Sequence, residues 1–218
     1  MSAKPVLHYL DIKNLGRGEV VRLFLHDAGI DFEDKRYPLD DSWAKNKADL
    51  KEKGLTVTGL VPSLEYKGVV LTQHIPILRY LSRELGQYDG ETNYDKWLVD
   101  AVSDIYIDWR VRRLPLNVTS HLTMQDNWVR NFFNPFPEYK TETAPAFYKN
   151  IDHYYSKDKS GPYLLGNTVS YADFAVFQAI DNDITTGGIA QDALPESLVV
   201  LKKAIEGRPN VVEYLKTR

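Results

Sequence analysis

Cysteine is absent from the 218-residue chain. Disulfides, cysteine nucleophiles and thiolate-held metal sites are thereby excluded, and so is a thiol-transfer oxidoreductase working through a mixed disulfide. A surplus of one charge is also missing. The 27 Lys and Arg against 30 Asp and Glu leave a net charge of −3, too little for bulk attraction to nucleic acid or an acidic membrane. No long uncharged apolar run occurs, so no membrane span is expected. The opening MSAKPVLHYL has no signal-peptide layout and reads directly into a strand. The expected location is therefore the cytoplasm, and the sequon Asn117-Val118-Thr119 reads as accidental. Gly16-Arg17-Gly18 is too short for a nucleotide motif. The aromatic-rich segment Trp128 to Tyr139 has no matching basic tract, which argues against nucleic-acid binding. No paired-acid site or Ser-His-Asp grouping stands out.

The stretch that organises the chain is residues 57–86. Ser63 to Tyr66 reads as a short strand, Lys67-Gly68 as a tight turn and Val69 to Leu71 as the returning strand. Thr72 can cap a helix, with Pro76 tolerated in its first turn. Ile75, Leu78 and Leu81 then give helical apolar spacing, and Gly86 ends the run. Ahead of this unit stands Val61-Pro62. The proline is either an edge device or the site of a cis bond, which would present the Val61 backbone amide and carbonyl to a ligand.

Val6 to Tyr9 predicts a first strand, Leu10 to Gly18 a loop, and Glu19 to Ala28 a helix with Val20, Phe24 and Ala28 on one face. Phe32 to Tyr37 predicts a second strand, completing a βαβ unit. Asp41 to Lys53 has helical character, with Trp43, Lys47 and Leu50 in register. The result is a small mixed sheet with helices on its faces. Residues 87–92 are polar and read as a linker. Beyond them no strand pattern appears. Helices are expected over Asn93 to Leu114, Thr143 to Tyr155, Ser170 to about Thr185, about Pro195 to Glu206, and a last short stretch ending at Leu215. Ser170-Tyr171-Ala172-Asp173 predicts a capping box whose role is folding, not chemistry.

Five segments carry a resemblance. Tyr9-Leu10-Asp11-Ile12-Lys13-Asn14-Leu15 resembles a tyrosine segment, and Trp43 and Lys47 stand four residues apart. Leu60-Val61-Pro62 sits where a cis-proline motif belongs, Leu71-Thr72-Gln73 opens a helix-start segment, and Gly166 to Asp173 matches a helical-domain capping motif. Together they resemble the cytosolic glutathione transferases, nearest the mu class with sigma-like features, and the likeness is weakest over residues 115–145. The resemblance implies an α/β thioredoxin-like domain over residues 1–86, a linker at 87–92 and an all-α domain over 93–218. It also implies a homodimer, glutathione as co-substrate, no metal, and a detoxification role.

On that resemblance Tyr9 is the catalytic residue: its phenol donates a hydrogen bond to the sulfur of glutathione. A thiol near pKa 8.5 is mostly protonated at neutral pH, and a donor that favours the anion lowers that pKa. A drop of about two units corresponds to roughly 2.7 kcal/mol of thiolate stabilisation. Lys47, with the Trp43 indole nearby, is expected to pair with the glycyl carboxylate. Val61, ahead of Pro62, is expected to bond the cysteinyl amide and carbonyl in an extended manner. Gln73 and the helix start are expected to hold the γ-glutamyl carboxylate. Position 74, a serine in the family, is His74. Its ring either replaces the lost hydroxyl, points into solvent or crowds the pocket. Asp100, Asp104 and Asp108 recur every four residues on the long helix. Taken alone they are a solvated face; by resemblance Asp104, or alternatively Asp108, reaches the glutathione amine. Arg22 reads as structural. Tyr106, Trp109, Arg110 and Arg113 either line an acceptor pocket or cover the domain junction. The expected reaction is attack of glutathione thiolate on a small apolar electrophile in a cleft between the domains. The rivals are a glutathione-dependent isomerase or biosynthetic enzyme, and a non-catalytic structural or regulatory protein on the same scaffold.

Overall fold

A computed structural model describes residues 3–113 and 135–218. The expected end of the long helix at Leu114, the sequon, and the start of the aromatic-rich segment at Trp128 lie outside those residues. The elements, in chain order, are β1 (Val6–Leu10), α1 (Arg17–Asp27), β2 (Glu33–Tyr37), α2 (Trp43–Glu52), β3 (Ser63–Tyr66), β4 (Val69–Thr72), α3 (His74–Leu85) and α4 (Asn93–Arg112). A π-helical turn (Tyr139–Thr143) leads into α5 (Ala144–Tyr155). Then follow α6 (Tyr171–Thr186), a 3-10 turn at Gln191–Ala193, α7 (Glu196–Glu206) and α8 (Pro209–Leu215). They pack as two units: residues up to Asp89 with Glu206–Arg218, and Gly90–Ile205.

The first unit is a four-stranded sheet in the order β2-β1-β3-β4. β1 runs parallel to β2 through the α1 crossover and antiparallel to β3, which pairs antiparallel with β4. Val61-Pro62 is a cis bond. Thr72 is not the cap of α3. It is the last residue of β4, paired with Ser63, so its backbone is committed to the ladder. The cap position falls to Gln73, at φ 67 and ψ 116, without a side-chain cap bond. α3 buries Ile75, Ile77, Leu78 and Leu81, side chains worth about 1.5–3 kcal/mol each when withdrawn from water.

α1 departs from a simple amphipathic helix. Every residue from Gly18 to Leu25 is buried, including Glu19 and Arg22. The reason is α8, counted by chain order with the helical part but packed in space on α1. Tyr214 Oη donates to Glu19 at 2.7 Å, the His26 and Tyr214 rings stack at 4.1 Å, and Arg208 pairs with Asp27. Burial pushes the Glu19 carboxyl above the usual carboxylate range, against the opposing pull of Arg22, Tyr214 and Arg218.

The second unit is helical among its described residues, apart from two isolated bridges around Gly166. Two capping boxes set its helix starts. Thr92 and Asp95 cap α4, and Ser170 and Asp173 cap α6. Asp173 is fully buried and accepts from the Ser170 amide (2.6 Å), the Ser170 hydroxyl (2.8 Å), the Tyr155 hydroxyl (2.9 Å) and the Leu164 amide (2.9 Å). It therefore ties α5 and the preceding loop to the start of α6. Asp183, at the other end of α6, accepts from Arg113 Nε (2.9 Å), Tyr139 Oη (2.5 Å) and Tyr148 Oη (2.9 Å). Burial beside that carboxylate pushes both phenols up.

Asp173→Ala removes the acceptor for four donors, two on the cap residue Ser170 and two on neighbouring segments. It should destabilise the fold by about 3–5 kcal/mol, read from the urea midpoint at constant m, whereas Ser170→Ala should cost about 1 kcal/mol. Equal losses for the two variants would refute a linking role for Asp173.

Candidate active site

The register of the sheet brings one set of chain ends together. His8 pairs with Ser63 on β3, and Ser63 pairs with Thr72 on β4. One residue beyond this row of the sheet stand Tyr9, Pro62 and Gln73, Pro62 preceding its strand and the other two following the chain direction. On the other side Tyr9 and Leu10 pair with Arg36 and Tyr37, the last residues of β2. The starts of α1 and α3 follow from the same sheet end. Tyr9, Val61, Pro62, Gln73 and His74 therefore share one end of the sheet, although up to 65 positions separate them in sequence.

Tyr9 is 4% exposed. Its phenol oxygen accepts the backbone amide of Arg17, the first residue of α1, at 2.8 Å. Gly16, the residue before α1, supplies no cap side chain, so the phenol takes the place of one. An accepted bond leaves the phenolic proton available for donation elsewhere. Two glycines make this approach possible. A Cβ on Gly16 would lie 2.5 Å from the Tyr9 hydroxyl, and one on Gly18 would lie 2.2 Å from the Tyr9 ring. Gly16 also holds φ 79 and ψ −169, a region left almost entirely to glycine. The Gly-Arg-Gly triplet is thus the seat of a tyrosine.

Trp43 begins α2, is half-buried, and has its ring centroid 6.3 Å from that of Tyr37. Lys47, one helical turn on, is also half-buried and makes no ion pair among the described residues. Its stem lies against Gly59, where a Cβ would come within 2.6 Å of Lys47 Cε. Val61 precedes β3, and its amide and carbonyl join no backbone hydrogen bond among the described residues. Gln73 is exposed. His74 is 3% exposed, so its ring does not point into solvent.

The three aspartates of α4 separate in the second unit. Asp104 and Asp108 are exposed, while Asp100 is half-buried and accepts from the Tyr171 hydroxyl. Tyr106, Trp109, Arg110 and Arg113 are buried. Arg110 bonds Tyr106 Oη (2.8 Å) and Gln178, and Trp109 Nε1 donates to Tyr139 Oη (2.6 Å). These four belong to the polar core around α6.

Sequence missed a further group. His8 Nδ1 is 2.8 Å from Tyr37 Oη and its Nε2 is 2.8 Å from Glu65, a bridge across β2, β1 and β3. The only signal was a polar residue inside an apolar strand. The Asp183 cluster gave none, because its partners lie 35 to 70 positions away.

The glutathione S-transferase N-terminal domain model matches residues 5–83, and the C-terminal domain model matches residues 124–218. A probable glutathione S-transferase 9 of Caenorhabditis elegans is 30% identical over 205 residues, covering 93% of this chain and 92% of that protein. The chain belongs to the glutathione S-transferase family. It is also 27% identical to a hematopoietic prostaglandin D synthase of Gallus gallus, over 97% of this chain and 95% of that one. A solved Pi-class glutathione S-transferase of Onchocerca volvulus matches in fold with a TM-score of 0.77 at 24% identity, over 99% of this chain and 94% of that one.

Gly18→Ala in this family member should force a methyl into the Tyr9 ring. Overpacking of this kind costs about 1–3 kcal/mol, and thermal unfolding should show it. An unchanged Tm would mean that the ring does not occupy that seat.

Proposed function

We propose that this glutathione S-transferase family member conjugates the thiolate of glutathione to a small apolar electrophile, with Tyr9 as its catalytic residue. The observation that carries the reading is the 2.8 Å bond from the Arg17 amide to the Tyr9 oxygen. It fixes the phenol at the start of a helix and leaves its proton for the sulfur. A helix start also favours the negative charge that develops there. The proton lost by the thiol goes to solvent and the phenol keeps its own. The sulfur lone pair forms the bond to the electrophilic carbon, and the bonding pair it displaces leaves with the departing group or moves onto the atom next to that carbon.

The remaining contacts follow from the charges of the tripeptide. Lys47, beside Trp43, takes the glycyl carboxylate. The backbone of Val61, ahead of Pro62, pairs with the cysteinyl residue as a short added strand. Gln73, His74 and the start of α3 receive the γ-glutamyl carboxylate, and support comes from the lack of a side-chain cap on that helix. Asp104 receives the amine, with Asp108 as the alternative; both are exposed carboxylates on α4.

The reading includes a homodimer in the cytoplasm with a role in detoxification. A reduced thiol co-substrate suits a reducing compartment. Support for self-association is the apolar surface of the first unit: Val57 (84% exposed), Leu60 (54%), Val69 and Val70 on the edge strand β4, and Tyr80 on α3. A second reading, a glutathione-dependent isomerase, is favoured by the likeness to the Gallus gallus synthase. It uses the same sulfur site and a different acceptor.

Glutathione binding by calorimetry, with a thiolate absorbance titration, tests the core of the proposal. The native protein should bind the tripeptide and depress its thiol pKa. Tyr9→Phe should still bind yet lose about two units of that depression, roughly 2.7 kcal/mol; an equal pKa in both proteins refutes the role of Tyr9. A panel of electrophiles and isomerisable substrates separates the two readings. Sedimentation should give a dimer that Val69→Lys or Val70→Lys dissociates, and a native monomer at micromolar concentration refutes the homodimer.

A further inference from the structure

The turn that carries the phenol from β1 to α1 is held from behind by buried charge. Arg22 is fully buried in α1, and its guanidinium carbon stands 5.6 Å from the Tyr9 ring centroid. Its Nη1 donates to the Lys13 carbonyl (3.5 Å), and Arg36 Nη1 donates to the same carbonyl (3.3 Å). Lys13 lies at φ 57, a left-handed conformation that a lysine adopts only when something holds it. Asp34 aligns the two guanidinium groups, accepting from Arg22 Nε (2.9 Å) and Arg36 Nε (2.7 Å). Glu19 faces Arg22 Nη1 at 3.5 Å and is itself held by Tyr214 Oη (2.7 Å) and Arg218 Nη1 (2.9 Å). Every member of this cluster lies in the first unit.

We propose that Arg22 is a positioning residue for Tyr9, and that Tyr214 and Arg218 complete the device by holding Glu19 against Arg22. The proposal rests on the reading of Tyr9 as the sulfur's hydrogen-bond donor. Arg22 acts on that phenol in two ways. Its cation lies over the ring and restricts the ring's tilt. Its bond to Lys13 sets the turn that ends at the Arg17 amide, the group to which the Tyr9 oxygen is bonded. A donor must be held within a fraction of an ångström to favour an anion, and that precision comes from the residues behind it. Glu19 and Asp34 are the counter-charges that let a guanidinium stay buried beside the ring. An ordinary core ion pair would share the burial. It would share neither the placement over the Tyr9 ring nor the grip on the turn.

The two roles differ in what they move. An ion pair with a purely structural role changes Tm and leaves the sulfur chemistry of the folded protein alone. A positioning residue changes the thiol pKa of bound glutathione and kcat, and does so only while the phenol is present. The test uses the whole chain with glutathione and a chlorodinitrobenzene as electrophile, comparing Arg22→Lys, Tyr9→Phe and the double variant. Arg22→Lys should raise the bound thiol pKa and lower kcat about tenfold, with KM for glutathione within about twofold, and should add little once Tyr9 is Phe, because coupled groups are non-additive. Tyr214→Phe and Arg218→Ala should shift both readouts in the same direction, by about two- to threefold. A folded Arg22→Lys with native thiol pKa and kcat overturns the proposal. So does a full Arg22 effect that persists in the Tyr9→Phe background. Should Arg22→Lys not fold, Tyr214→Phe carries the test, and an unchanged thiol pKa in it overturns the proposal. An effect of Tyr9→Phe without one of Arg22→Lys sinks the positioning role alone, whereas no effect of Tyr9→Phe sinks the donor reading beneath it.

Discussion

One hydrogen bond, from the first amide of α1 to the phenol oxygen of Tyr9, constrains much of the first unit. It requires glycine at position 16, where backbone conformation and contact distance both exclude a side chain, and again at position 18 beneath the ring. It ends β1 at a fixed distance from the helix that follows. Because β1 lies between β2 and β3, the same end of the sheet also receives Trp43 after β2, Val61-Pro62 before β3 and Gln73-His74 after β4. A short strand with a bound phenol at its end thus organises residues that are far apart in the chain.

Both units bury charge, and in both cases a single carboxylate gathers several donors. Asp183 collects Arg113, Tyr139 and Tyr148 in the second unit, and Glu19 collects Tyr214, Arg22 and Arg218 in the first. Replacing such a network by apolar groups can leave stability unchanged, while removing one member leaves the others desolvated and unpaired. These clusters therefore define which helices are neighbours. Asp183 joins α4, the π-helical turn, α5 and α6. Glu19 joins α1 to α8, which explains how a helix with Glu and Arg in its middle is buried on all sides.

The order of strands and helices was legible from local pattern. The short apolar run from Val6, the strand–turn–strand around Lys67-Gly68, the helical spacing of Ile75, Leu78 and Leu81, and the Ser170–Asp173 box each state their element within a few residues. The Thr92–Asp95 box has the same spacing, but the polar linker residues around it conceal it. The cap of α3 lies one residue beyond Thr72, which has the right side chain for a cap but a backbone held in the sheet. The α4 aspartates read as one face by spacing, yet Asp100 is drawn to Tyr171 on α6 while Asp104 and Asp108 stay exposed. Periodicity describes a helix and cannot say what packs against it.

Local sequence alone determined the elements, the lack of thiol chemistry, and the motifs at Tyr9, Trp43, Lys47 and Pro62 by which the family can be recognised. These depend on neighbouring residues, whose spacing is written in the chain. Only the tertiary structure decided that Gly16 and Gly18 seat the phenol, that His74 is buried, that α8 packs on α1, and that Arg22 lies over the Tyr9 ring. Each of these is a meeting of segments brought together by strand register and helix packing, and burial and electrostatic pairing act on distances in space that separation along the chain does not encode.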